Sequence, residues 1–454
     1  MRVTIEISEA TDGKFSDLIL SYIGSENIQN RVSLNIKNYV NIYDFIDETK
    51  SVKFDFFLIS ALVYGVDNLL SREKYSDDGW AREIEVEFPV YNLEKWLGNE
   101  TIFEEALNFL TGDTWSISFR LNEVENIFIE KKGRWHKNIK TYEKEKIKSV
   151  SLFSGGLDSL IGIIDELESL ENDEKILLVS HFDFKSSGPN KDQRLLYNAL
   201  IEKYANQIYW VQTKLALNRR TQNEDRIKIE SNYRSRSLFF IGLGVYLSPV
   251  DKLIIPENGT ISINYPLTPS RVSSLSTRTT HPIVINKLQQ ILNNCEINLQ
   301  LINPYSFDTK GEMFINCKNQ EVLKLIYEKS VSCGKRGRKQ YWSHKTGTDH
   351  CGVCMPCVYR RSALNKAVLD NQLYGSDITK ALSKNSFKDL PALFSYLNKN
   401  ISLDQMKTDL VINGSIPFEE LNDYANMVLR SKAEVLKLFT DKGNEFVKSE
   451  IGQI

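Results

Sequence analysis

Five short runs rich in β-branched and apolar residues, KSVSLF, KILLVS, QIYWVQT, DKLIIP and INLQLI, recur between Lys148 and Ile302, and helix-length segments begin between them near residues 157, 190, 233 and 282. This alternation restricts the chain more than any other feature. A strand that must lie parallel to its predecessor needs a crossover of about a dozen residues or more, and a helix supplies it. The expected core is therefore α/β, a doubly wound parallel sheet with helices on both faces. Ahead of it, RVTIEI, EIEVEF and TWSISFRL alternate with period two, and helical patterns run from Lys53 to Leu70 and from Leu93 to Leu110. Those patterns predict an N-terminal α+β domain over 1–145, joined through the charged stretch 130–148 to an α/β domain over 146–365. Beyond Arg360 only helical patterns remain, so 366–454 is expected to be a C-terminal helical cap. No internal repeat or low-complexity tract is present.

At the first of these strand-to-helix junctions the chain reads Ser154-Gly155-Gly156-Leu157-Asp158-Ser159. A polyphosphate needs main-chain N–H groups that approach closely, and two residues without Cβ permit that at a helix N-terminus, where the dipole favours an anion. Ser154 and Ser159 add hydroxyl donors. Asp158 puts a negative charge beside an anion site, which makes sense with a Mg²⁺ ion bridging the phosphates. The alternative is an ordinary βα turn with capping serines. Farther on, Arg234 and Arg236 open an apolar helix, where the local dipole repels cations. An anion between them relieves that cost, which makes Arg236 a candidate phosphate contact; solvated charges on an exposed turn are the other reading. Glu257 and Asn258 follow the strand DKLIIP at the carboxyl edge of the sheet, where ligands gather. A carboxylate there can accept hydrogen bonds from a guanine-like N1–H, although Glu-Asn-Gly also suits a surface turn.

Of the six cysteines, Cys333, Cys351, Cys354 and Cys357 fall within 25 residues. Four thiolates with two such short spacings suit a closed tetrahedral Zn²⁺ site, structural because no position is left for water. An iron–sulfur cluster is the competing metal, and His344 and His350 are substitute ligands the site does not need. Cys295 and Cys317 are expected as buried thiols. The net charge of −2, with 26% charged residues, argues against a broad nucleic-acid surface. No basic start followed by an apolar run opens the chain, so a cytoplasmic location is expected. FDFFLISALVYGV and LFFIGLGVYL are shorter than the roughly 20 residues a bilayer requires and read as buried helices, with no membrane partner.

The Ser-Gly-Gly-X-Asp-Ser string resembles the PP-loop of ATP pyrophosphatases, and its combination with Cys…Cys-Gly-x-Cys-x-x-Cys-x-x-Arg is similar to the QueC (ExsB) family of 7-cyano-7-deazaguanine synthases over roughly 148–365. The resemblance implies a PP-loop (HUP-type) domain that cleaves ATP between the α and β phosphates. Within it Ser154 to Ser159 match the loop, His181 follows the second strand and joins Arg236 at the nucleotide, and Lys310 lies in a Thr-Lys segment. Arg360 follows the zinc ligands. It further implies Asp158, Lys310 and Arg360 as catalytic residues, with Lys310 and Arg360 pairing with the substrate carboxylate and the adenylate phosphate. The implied reaction activates the carboxylate of 7-carboxy-7-deazaguanine, which ammonia then converts to an amide and a second activation to a nitrile. Where the family reads Tyr-Pro-Asp-Cys-Arg, this chain has Tyr265-Pro266-Leu-Thr-Pro-Ser-Arg271, so a remodelled base-recognition loop with Arg271 at the substrate is expected. The additional N-terminal residues look like those of the extended QueC-like proteins of bacterial anti-phage operons, including the Qat and type IV CBASS systems. That likeness implies a protein partner from the same operon, docked by 1–145, whose amine replaces ammonia. A PP-loop tRNA-modifying enzyme and a catalytically idle scaffold are the rival readings; nucleic acid is not expected as a partner.

Overall fold

The computed structural model describes all residues except 25–27, 47, 77, 130–141, 184–186, 219, 222–225, 231–233, 268–277, 415 and 454. Most of the expected connection at 130–148, together with Arg271, therefore lies outside the described residues. The strands are β1 (Arg2–Ile7), β2 (Leu18–Ile23), β3 (Gln29–Lys37), β4 (Glu83–Val90), β5 (Thr114–Leu121), β6 (Ile147–Leu152), β7 (Lys175–Asp183), β8 (Ile208–Leu217), β9 (Lys252–Ile254) and β10 (Gln300–Ile302). They form one ten-stranded sheet in the order β10-β9-β6-β7-β8-β3-β2-β1-β4-β5. Pairing is parallel from β10 to β8 and again among β1, β4 and β5, with antiparallel pairs at β8–β3, β3–β2 and β2–β1. The chain is thus α/β with a mostly parallel sheet.

Counted along the chain from β6, the second half has strand order 3-2-1-4-5, and direction of winding reverses between β6 and β9. In open α/β sheets, ligands gather beyond the carboxyl ends of the strands at such a reversal. Alternate residues of these strands face opposite cores: Leu177 and Val179 join one apolar cluster, Ile176 and Leu178 another. Burial on both faces explains why KILLVS is a continuous apolar run with no period of two.

The N-terminal half contributes α1 (Val40–Tyr43), α2 (Val52–Leu69), α3 (Arg72–Tyr75), α4 (Leu93–Trp96) and α5 (Glu100–Thr111). The helix expected from Leu93 to Leu110 is broken at Gly98, whose φ of +89° no helix accommodates. The central half contributes α6 (Leu157–Leu167), α7 (Ser187–Ile201), α8 (Arg236–Leu247), α9 (Gly259–Ile263), α10 (Pro282–Asn294), α11 (Lys310–Ile315), α12 (Gln320–Ile326) and α13 (Met355–Lys366). Helices α6, α7 and α12 cover one face, and α2, α8 and α10 the other. Helix α2 lies hard against α8, since a Cβ on Gly242 would stand 2.1 Å from the Ser60 hydroxyl. Four helices end the chain, α14 (Leu390–Asn398), α15 (Leu403–Asn413), α16 (Phe418–Lys442) and α17 (Glu445–Glu450), packed on α13 and α9 through two smaller apolar clusters. Among the described residues no helix is long and apolar enough to cross a membrane.

The first five strands, of which the sequence patterns marked β1, β4 and β5 but not β2 and β3, continue the sheet through the β3–β8 pairing of Leu34 with Leu217 and Lys37 with Lys214. A buried ionic cluster ties them to the second half as well. All five guanidinium donors of Arg82 find acceptors, on Asp113, Asp67, the Asp67 carbonyl and the Leu70 carbonyl. Arg72 pairs with Asp113 and donates from its amide to Glu230 at 2.9 Å, while Asp67 accepts from Ser235 Oγ at 2.6 Å. Burial opposes the Asp67 charge, but Arg82 and Arg72 together hold its carboxyl below the usual range.

Candidate functional site

Strand β6 ends at Leu152, and Phe153 still donates to the Val179 carbonyl at 2.8 Å before the chain turns. Gly155 takes φ +85°, and a Cβ there would meet the Gln193 amide at 3.3 Å. This backbone conformation and this clearance require glycine. Gly156 is the N-cap of α6, so the first amides of that helix have no helical acceptor; that of Leu157 donates to Ser332 Oγ at 3.2 Å, and those of Asp158 and Ser159 have no acceptor among the described residues. Ser154 Oγ accepts from the Gly156 amide at 3.2 Å and donates to Ser159 Oγ at 3.2 Å, which in turn donates to the Gly156 carbonyl. Both serines brace the turn. Gln193 of α7, which sequence gave no reason to select, donates to the Ser154 and His181 carbonyls and accepts from Gln212 at 2.6 Å.

Asp158, the second residue of α6, is buried between groups from two other segments. Lys310, at the start of α11, forms an ion pair with its Oδ1, and Asn258 Nδ2 donates to its Oδ2 at 2.7 Å. Two N-caps set this arrangement: Asn258 accepts from the Ile261 amide to begin α9, and a capping box between Thr309 and Glu312 begins α11 and aims Lys310. Glu257 joins the same cluster. Its main chain is held by Asn303, whose Nδ2 donates to the Glu257 carbonyl at 2.8 Å. Desolvation, and then the neighbouring Asp158 charge, push the Glu257 carboxyl well above its ordinary range. Desolvation also opposes the Asp158 charge, but Lys310 and the bonds from Glu257 and Asn258 outweigh it and hold Asp158 low. In this pair the proton therefore favours Glu257, which lies beside the glycine turn's own aspartate rather than standing alone as a surface acceptor.

The two candidates at the end of β7 meet each other. Arg236 Nε donates to His181 Nε2 at 3.1 Å, and the guanidinium lies 5.5 Å from the centre of the Phe240 ring. His181 is wholly buried; burial and Arg236 hold its pKa well below the ordinary value, so it is neutral with its proton on Nδ1. It positions Arg236 and has no surface with which to touch a nucleotide. Arg236 is partly exposed, and its two Nη groups have no partner among the described residues. Arg234 differs: it is buried over the Trp80 ring at 4.5 Å and donates to the Thr111 carbonyl, so it belongs to the ionic cluster of the first half.

Sequence order places Arg360 on a loop after the cysteines, but Pro356 starts α13 at once, and Arg360 falls inside that helix with no exposed surface. Its Nη1 donates to Ser330 Oγ at 2.8 Å and its Nη2 to the Tyr327 carbonyl at 3.0 Å. Those bonds grip the segment that leads into Cys333. The sulfurs of Cys333, Cys351, Cys354 and Cys357 all lie within 4.8 Å of one another. A tetrahedral site with metal–sulfur bonds of about 2.3 Å separates its sulfurs by about 3.8 Å, and Cys351 and Cys357 are 3.8 Å apart. The amides of Cys351, Val353 and Cys354 point at these sulfurs from 3.3–3.4 Å, as suits thiolate ligands. This donor set can hold a metal ion and is compatible with zinc. His350 accepts from the Ser332 amide and stands outside the four, while Cys295 and Cys317 are separate buried thiols.

No protein-family model, curated protein or solved structure matches this chain. The geometry is then the ground for a functional reading, and it groups the predicted residues into three sets. Ser154 to Ser159, Glu257, Asn258 and Lys310 form one; His181 and Arg236 a second; the four cysteines, with Arg360 beneath them, a third.

Proposed function

We propose that the chain is an ATP-dependent ligase, forming AMP and pyrophosphate, that activates the carboxylate of 7-carboxy-7-deazaguanine or a similar deazapurine for attack by an amine. The observation behind this reading is the glycine turn at the reversal of the sheet, with a buried Asp158–Lys310 pair directly beneath it. A carboxylate attacking the α-phosphorus of ATP displaces pyrophosphate, and the enzyme must hold the departing charge. The Asp158 and Ser159 amides of α6 and the Nη groups of Arg236, without partners among the described residues, are suited to that task, being fixed before the reaction begins. Mg²⁺ bound at Asp158 would supply further neutralisation of the phosphates. Lys310, ion-paired with Asp158, stands where it can pair with the substrate carboxylate. Glu257, holding its proton, can donate a hydrogen bond in the same recess. The acyl-adenylate is then open to an amine, which leaves an amide and AMP; ammonia as the amine leads on to the nitrile, and a partner protein's amine to a conjugate. A role in anti-phage defence with such a partner rests on the resemblance to extended QueC-like proteins, as does a Zn²⁺ ion at the four cysteines.

The test is ATP conversion to AMP with 7-carboxy-7-deazaguanine present, followed by intact mass analysis with ammonium or co-expressed candidate proteins. Turnover that depends on the deazapurine, with amide, nitrile or conjugate mass appearing, is the expected result. ATP left intact, or cleaved to ADP, overturns the reading.

A further inference from the structure

We propose that the four-cysteine site and the glycine turn are one coupled unit, with residues 330–333 transmitting the state of the metal site to the phosphate-facing amides and with Ser332 and Arg360 as positioning residues. The inference rests on the nucleotide reading above and deepens it. Each residue of this four-residue segment is tied down. Ser330 Oγ accepts from Arg360 at 2.8 Å. The Val331 amide donates to the Gly155 carbonyl at 2.9 Å. Ser332 Oγ accepts from the Leu157 amide at 3.2 Å, across 175 residues of sequence, and the Ser332 amide donates to His350 Nε2 at 3.3 Å. Cys333 is itself one of the four sulfur donors, accepting from the Cys351 amide.

The two middle residues therefore fix the carbonyl of the left-handed glycine and the first amide of α6, and the two end residues fix the segment to α13 and to the metal site. Arg360 stands one turn after Cys357 on α13, wholly buried, and its donors meet neutral acceptors rather than a carboxylate. A metal with four thiolates has a net negative charge, and a buried guanidinium nearby offsets it. Losing the metal frees Cys333 and weakens the hold on Ser332 and Val331, so the turn loses two restraints at once. Coupling of this kind is reciprocal: if zinc tightens anion binding by some factor, the anion must tighten zinc by the same factor.

Isothermal titration of pyrophosphate into the full zinc-loaded chain tests this directly, with zinc affinity measured by chelator competition in the presence and absence of pyrophosphate. Ser332→Ala is expected to weaken pyrophosphate binding about tenfold, the upper end for one lost hydrogen bond, with bound zinc unchanged. Ser332→Thr, which keeps the hydroxyl, is expected to restore most of it. In wild type, pyrophosphate should raise zinc affinity, and in Ser332→Ala that increase should shrink. Equal or tighter pyrophosphate binding by Ser332→Ala, or zinc affinity indifferent to pyrophosphate in wild type, overturns the coupling alone. A wild-type chain that binds no pyrophosphate at all overturns the nucleotide reading together with it.

Discussion

The cluster around Asp158 and the cluster around Arg82 are both buried, both charged, and both assembled from distant parts of the chain, yet their charges are balanced differently. Around Arg82, three arginines meet Asp67, Asp113 and Glu230, and Arg82 has no donor left over. Around Asp158, one lysine pairs with one of two neighbouring carboxyl groups, and burial and the Asp158 charge push the other, Glu257, toward its neutral form. A charge-balanced cluster built around a fully bonded Arg82 serves to fix geometry. A cluster with a surplus carboxyl beside open helix amides is incomplete without something from outside. The difference separates a structural polar core from a candidate site more sharply than burial does.

Breaking the closed cluster is expected to have the largest effect. Arg82→Ala leaves the buried Asp67 and Asp113 to Arg72 and should cost about 3–5 kcal/mol, read by urea unfolding; a loss under about 1 kcal/mol would mean the cluster does not hold the two halves together. Asp158→Ala should cost ATP turnover on the order of 100-fold, measured as AMP release. Its stability loss should be smaller than that of Arg82→Ala, because Glu257 can ionise and take over Lys310. The surplus carboxyl also gives a pH signature. Glu257, raised in the folded chain, contributes stability that is complete below its ordinary range near 4.5 and is lost as pH rises through its folded pKa. Asp158, held low, contributes stability present above its ordinary value and lost as pH falls. Unfolding free energy should therefore decline above the ordinary glutamate range by up to about 1.4 kcal/mol per pH unit, and Glu257→Gln should abolish that slope; an unchanged slope removes the shared proton from the account. Arg236→Ala should leave stability within about 0.5 kcal/mol, since the side chain is partly exposed, while pyrophosphate affinity falls severalfold by titration.

The parallel strands from β6 to β10 were legible because both their faces are buried, which writes itself into the sequence as apolar runs between helix-length segments. The glycine turn and the cysteines were legible because few residue types can do what Gly155 and Cys354 do. Joining the first five strands to the same sheet was not, because β3 pairs with β8 through backbone groups that every sequence shares. That Asp67 and Arg72 are buried partners is invisible in local sequence, because it depends on Asp113 and Glu230 arriving from far along the chain. Ser332 and Gln193 had no local mark at all, since a hydroxyl or an amide becomes informative only once its acceptor is known.

The antiparallel seam between β3 and β8 has a practical consequence. Anyone trimming the protein to its back two thirds, to begin at Ile147, would bare a row of main-chain hydrogen-bonding groups along β8 and strip α2 from the aromatic flank of α8. Such a fragment would offer a sticky border to its own copies, so work on the chemistry calls for the uncut polypeptide.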